Sequence, residues 1–173
     1  MSWTLQRILP IFLTLLVSGC QLYGKTVASV GLGPNEVKTV GVMAATGENP
    51  SALLVDIAFA YGDAASAVLA QSDALTWFKE QAGFCQNYSN QLDVIRLELP
   101  MGYSALLSKL PKQHKTAQTI FVFIRDVGKA EITKLKTPWI SAVDGQLTLL
   151  TAPPGSASTG NAIVAVKGAK TLC

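Results

Sequence analysis

Residues Leu92 to Leu99 alternate between two faces, and that two-residue period fits a half-buried β-strand. Ile95, Leu97 and Leu99 fall on the inward side, Arg96 and Glu98 on the outward side, and Pro100-Met101-Gly102 stops the run. Ala52 to Tyr61 is a second and stronger strand, with Val55, Ile57, Phe59 and Tyr61 on one face and Asp56 on the other. Val37 to Ala45 reads as a strand before it, and Gly47-Glu48-Asn49-Pro50 as the turn between them. Thr119 to Ile124 is another β-rich run, turned by Arg125-Asp126-Val127-Gly128 into a short strand over Ala130 to Leu135. Asp144-Gly145 is a strong two-residue hairpin signal between Trp139–Val143 and Gln146–Thr151. Pro153 to Gly160 reads as a loop and Ala162 to Val166 as a last strand.

One segment breaks this pattern. Asp63 reads as the N-cap of an alanine-rich helix, with Ala67, Val68, Ala74, Leu75, Phe78 and Ala82 as an approximate apolar stripe. Ser72 and Asp73 divide it into two short helices, the second carrying Trp77 and Phe78, and Gly83 is expected to end it. The count is seven or eight short strands with one helical insertion. That pattern predicts a mainly β, two-sheet β-sandwich, because a parallel βαβ sheet would need helices between most strands.

The first twenty residues carry a separate instruction. Arg7 is the only charge, an apolar run follows from Ile8 to Val17, and Ser18-Gly19-Cys20 closes the stretch. A short positive region, an apolar core and small residues make a secretory signal. The run is too short for a membrane span, which needs about twenty apolar residues. Leu16-Val17-Ser18-Gly19-Cys20 resembles the lipobox of bacterial lipoproteins. The resemblance implies that Cys20 is acylated, by palmitate or similar chains, and becomes the first mature residue. One acyl chain anchors only marginally at about 0.8 kcal/mol per buried methylene, whereas the three chains of that modification hold a protein on a membrane. Gln21 stands where an Asp would retain many such proteins at the inner membrane, so the periplasmic face of the outer membrane is the expected address. The chain thus divides into a signal peptide (1–19), lipidated Cys20 with its tether (20–36) and a β-sandwich domain (37–173).

Composition closes off several classes. About half the residues are apolar (49%), and the formal net charge is only +3, with no lysine-arginine cluster of the kind that binds nucleic acid. Cys85 and Cys173 remain once Cys20 is lipidated. An oxidising compartment allows a disulfide between them. Closing so long a loop would contribute about 4–5 kcal/mol in the chain-entropy account. The competing reading is a buried free Cys85 beside a loose C-terminal thiol.

Chemical machinery is sparse. His114 is the lone histidine, so a Cys/His metal site is poorly supplied, and no spaced carboxylates resemble a calcium loop. Gly31-Leu32-Gly33 lacks the third glycine of a dinucleotide fingerprint, and Gly155 to Gly160 lacks the lysine of a phosphate loop. Asp56 with His114 and a serine, or Cys85 with His114, would form a catalytic set only by accident of folding. The preferred readings are Asp56 exposed on a strand, His114 in a solvated loop and Cys85 structural. No enzyme activity, cofactor or metal is expected.

Several segments, taken in order, resemble the TssJ-type lipoproteins of bacterial type VI secretion. They are Asn49 to Tyr61, the small-residue helical insertion with Phe78 near its end, Leu92 to Gly102, and Thr119 to Asp126 followed by Trp139. With the lipobox, they cover most of the chain to about Val143. The resemblance implies a transthyretin-like β-sandwich held at the outer membrane, where it binds the periplasmic domain of a large inner-membrane partner of TssM type and acts as a structural bracket. In that family, loops between the early strands touch the partner. Here they map onto Ala45 to Ser51, with Thr46, Gly47, Glu48 and Asn49 as the contact residues. Two other readings stand beside it. One is a general periplasmic lipoprotein of another envelope or pilus assembly, and the other is a ligand-binding lipoprotein with its site in the end loops. Lys109, Lys112 and Lys115 would suit acidic glycans or lipid headgroups, though such spacing is usually just solvated surface.

Overall fold

The computed structural model describes residues 34–44, 52–153, 163–165 and 170–173. The expected signal peptide (1–19), Cys20, and the expected contact residues Thr46, Gly47, Glu48 and Asn49 lie outside the described residues. The strands are β1 (Val40–Ala44), β2 (Leu53–Ala60), β3 (Leu92–Leu99), β4 (Ser104–Leu107), β5 (Thr119–Ile124), β6 (Gly128–Glu131), β7 (Trp139–Val143), β8 (Gln146–Leu150), β9 (Ile163–Ala165) and β10 (Lys170–Thr171). Two helices, α1 (Asp63–Gln71) and α2 (Ala74–Asn87), separate β2 from β3. Among the described residues the strands form two five-stranded sheets, ordered β8-β7-β1-β4-β9 and β10-β3-β2-β5-β6. The protein is therefore a β-sandwich, with more strands than the seven or eight the sequence suggested, because β4 (four residues) and β10 (two residues) are too brief to show a period. The short strand expected over Ala130 to Leu135 is β6, which starts earlier, at Gly128.

Periodicity places the core. Val55, Ile57 and Phe59 of β2 join Ile95, Leu97 and Leu99 of β3 and Val40 and Val42 of β1 in the layer between the sheets. The opposite face of the second sheet is covered too. Ala58, Ala60, Leu92, Val94, Phe121 and Phe123 pack there against Leu69 of α1 and Trp77 and Phe84 of α2. A sheet that buries both faces reads as a nearly continuous apolar run, as β2 does.

Local chemistry explains the element ends. Asp73 caps α2 by accepting from the Thr76 N–H at 2.7 Å, a bond that holds its carboxyl below the usual range. Asp63 is not a cap: Gly62 occupies that position without a side-chain bond, and Asp63 is the first helical residue. Gly83 does not end α2, which continues to Asn87. Phe84, buried one residue later, gives the helix a tertiary contact that outweighs the weak helix propensity of glycine. Asp144 and Gly145 both have positive φ (47° and 73°), which suits the hairpin turn between β7 and β8. On β1, Gly41 lies beneath the indole of Trp139 in parallel register, and any Cβ there would collide with the ring. Packing already begins at Asn35, inside the stretch assigned to the tether: it is buried, and its side-chain amide donates to the carbonyls of His114 and Ala117.

Candidate functional site

The five-residue β1 gives the sandwich two well-separated ends. At one end β1 stops at Ala44 and β2 begins at Leu53. Ala44 is clamped there by two backbone bonds, donating to the Tyr103 carbonyl (3.0 Å) and accepting from the Gly102 N–H (2.8 Å). The β5–β6 turn arrives alongside, with the Arg125 N–H donating to the Leu54 carbonyl at 3.0 Å. The Asp144-Gly145 turn completes this end, because β7 runs parallel to β1 with Ala142 beside Ala44. The segment expected to touch a partner, 45–51, connects strands that open onto this end.

A cavity of about 360 Å³ sits among these turns, lined by Leu53, Met101, Arg125, Asp126, Asp144 and Gly145. A second hollow of about 310 Å³ shares Arg125 and Asp126 and reaches the start of α2 at Leu75, Phe78 and Lys79. Asp126, which lines both, holds a positive φ of 60°, uncommon for a residue with a side chain. Three large apolar side chains stand open around the rim: Leu75 is 75% exposed, Tyr103 48% and Val143 40%. Among the described residues only Leu149 is exposed to a similar degree elsewhere. Apolar anchors set among both signs of charge suit contact with another protein better than proton transfer.

Beneath this rim lies a polar cluster. Asp56 was expected to be exposed and is instead completely buried. Alternation put it on the outward face of β2 correctly, but α2 covers that face. Arg96 donates to it through Nε (2.8 Å) and a terminal guanidinium nitrogen (2.7 Å). Trp77 Nε1 donates at 2.9 Å and Gln81 Nε2 at 2.5 Å. The Gln81 carbonyl oxygen accepts from Arg96 at 2.6 Å, which closes the ring of bonds. The Asp56 carboxylate raises the Arg96 pKa further above its already high value. Trp77 stacks on Phe123 at 4.6 Å and on Phe84 at 5.5 Å. Phe78 lies under two guanidinium groups, Arg96 at 5.7 Å and Arg125 at 5.0 Å. Arg125 on the rim and the buried Asp56 cluster are thus joined through one aromatic ring. Cluster and stacks fix α2, and with it Leu75 and Lys79, against the sheet.

Cys85 and Cys173 form a disulfide with a Cα–Cα distance of 5.0 Å. It ties α2 to the end of the chain, where Thr171 pairs with Ile95 and the Leu172 N–H donates to Val94. His114 lies at the far end in a short 3-10 turn, half-buried rather than solvated, with Nδ1 2.8 Å from the Pro111 carbonyl. Among the described residues no group of His, Cys, Asp and Glu is arranged to hold a metal ion, and no helix is long and apolar enough to cross a membrane. Sequence reading put Leu75 on the apolar stripe of the helix, whereas the buried side of α2 is formed by Ala74, Trp77 and Phe84 and leaves Leu75 exposed; it did not single out Tyr103 or Val143, which belong to two other segments. The Arg125-Asp126 turn was visible as a turn, but not as the wall shared by two hollows. No protein-family model, curated protein or solved structure matches this chain.

Proposed function

We propose that this protein is an outer-membrane-anchored lipoprotein that brackets a type VI secretion membrane complex. Its loop end would bind the periplasmic domain of a large inner-membrane partner. The observation that carries the reading is the end at which β1 stops and β2 begins: exposed Tyr103 and Val143 stand beside Ala44 and its partner Ala142, and exposed Leu75 lines the adjoining hollow with Arg125 and Asp126. This is where the resemblance to TssJ-type lipoproteins puts the partner contacts of Thr46, Gly47, Glu48 and Asn49. The lipobox at Cys20 supplies the anchor in this reading, and the Cys85–Cys173 disulfide suits an oxidising compartment. A rigid sandwich with apolar anchors at one end is what a bracket needs, since preorganised loops lose little entropy on binding.

A ligand-binding lipoprotein is the second reading, favoured by the cavity of about 360 Å³, which is within the range of small-molecule sites. The two readings separate in cells. Cys20→Ser is expected to move the protein from the outer membrane to the soluble periplasmic fraction and to abolish secretion. Retention in the membrane pellet after a high-salt wash would contradict the lipid anchor. Secretion that continues with the released protein would contradict the bracket.

A further inference from the structure

The end opposite the loop rim gathers lysines that are scattered in sequence. Residues 34–39 run beside 133–138, with the Glu36 N–H donating to Thr133 and the Lys38 N–H to Lys136. Asn35 ties the same stretch to the 114–117 turn, and Lys115 Nζ donates to the Val37 carbonyl at 2.6 Å. The loop after β4 begins at this end because Leu107 pairs with Val40. These three segments carry Lys38, Lys109, Lys112, Lys115, Lys134 and Lys136 against a single acidic residue, Glu36. All but Lys115 are exposed. Burial lowers the Lys115 pKa, and repulsion from Lys38 lowers it further, as expected where like charges crowd. Glu36 meets Lys136 only at 3.9 Å. On the flanking elements, Asp93 accepts from Tyr61 and Glu131 from Thr133, while Asp63 opens α1.

The chain enters the domain at this same end, at Pro34. Thirteen residues, Gln21 to Gly33, separate it from the lipid-bearing cysteine. Even fully extended they reach no more than about 50 Å. The lysine end is therefore the part of the domain tied closest to the bilayer, and the loop rim faces away from it.

We infer that the lysine end is a docking surface for anionic phospholipid headgroups, which seats the sandwich on the membrane with its loop rim pointing into the periplasm. The inference rests on the lipid-anchor reading for its geometry, but it can fail separately. Lysines near an anionic surface each strengthen binding about fivefold at moderate salt. The attraction decays within a Debye length of about 10 Å at 0.1 M salt. Tethering keeps the surface within reach, so a patch too weak to bind alone can still set orientation.

The test uses residues 20–173, the mature chain of this reading, with Cys20→Ser, so that neither an acyl anchor nor the apolar run at Ile8–Val17 is present, and sedimentation with vesicles. One set is phosphatidylethanolamine with one third phosphatidylglycerol, the other is phosphatidylcholine alone. Binding is expected to the anionic set only, and to fall as salt is raised. Adding Lys38→Gln, Lys109→Gln and Lys112→Gln should weaken it about a hundredfold, with the circular dichroism spectrum unchanged. If the triple variant misfolds, the salt dependence of the parent chain decides. Equal binding to both vesicle sets, or binding indifferent to salt, would overturn the inference. So would lysine-dependent binding to a soluble sulfated glycan without binding to vesicles. Failure of the lipid anchor itself shows in the fractionation of Cys20→Ser described above, which does not depend on these lysines.

Discussion

Replacing Arg96 with methionine is expected to destabilise the domain by about 3–5 kcal/mol. The reason is asymmetric burial: the Asp56 side chain has no exposed surface, whereas that of Arg96 retains 24%. Removing the guanidinium takes away two of the bonds to the carboxylate and leaves a buried charge supported only by Trp77 and Gln81. Gln81 also loses the donor to its own carbonyl oxygen. The effect is not a measure of the ion pair's net worth, because desolvation offsets much of the attraction when both charges are present. Adding Asp56→Leu to Arg96→Met should therefore restore part of the loss. Urea unfolding of the single and double variants checks both statements. A single-variant loss below about 1 kcal/mol, in the range of exposed pairs, would mean that solvent reaches Asp56 and that the cluster does not fix α2.

Breaking the disulfide is the second large effect. Cys85 and Cys173 are 88 residues apart, and closing a loop of that length removes about 4–5 kcal/mol of unfolded-chain entropy in the simplest account. Cys85→Ser with Cys173→Ser should lower stability by that amount. The last strand should exchange amide protons first, because β10 is two residues long and pairs only with β3 among the described strands. A loss below about 1 kcal/mol would mean that the packing of Leu172 and Cys173 beside α2 holds the terminus unaided. Because the bond contributes so much, full stability requires an oxidising compartment, in keeping with the proposed export of the chain.

Much of the fold was legible because β-strands declare themselves by period. The alternation of Leu92 to Leu99 set the inward face of β3, and Asp144-Gly145 marked a hairpin whose backbone angles follow from those residue types. The break at Ser72-Asp73 was readable for the same local reason, since an Asp before a new helical run is a cap. Asp56 marks the limit. Period tells which face of a strand a residue occupies, but not what lies over that face, and two helices lie over this one. Gly83 fails in the opposite sense: a local helix breaker is overruled by Phe84 beside it. The 45–51 loop and the loop of Lys109, Lys112 and Lys115 were legible in sequence, but the residues that join each of them at its end of the molecule were not, for a topological reason. Lys38, Lys112 and Lys136 are far apart along the chain, as are Leu75, Tyr103 and Val143, and only the strand order brings each set together.

In the proposed function the loop end holds an inner-membrane component of a secretion complex while the opposite end stays at the outer membrane. Affinity capture of the lipidated protein from envelope extract, read by mass spectrometry, tests it most directly when run beside a Glu48→Ala, Asn49→Ala, Leu75→Asp variant. Recovery of one large inner-membrane protein with a periplasmic domain is expected, reduced at least tenfold by the variant, since loss of an apolar anchor costs about 2 kcal/mol or more. Recovery of pilus or other envelope components instead, or equal recovery by the variant, would contradict it.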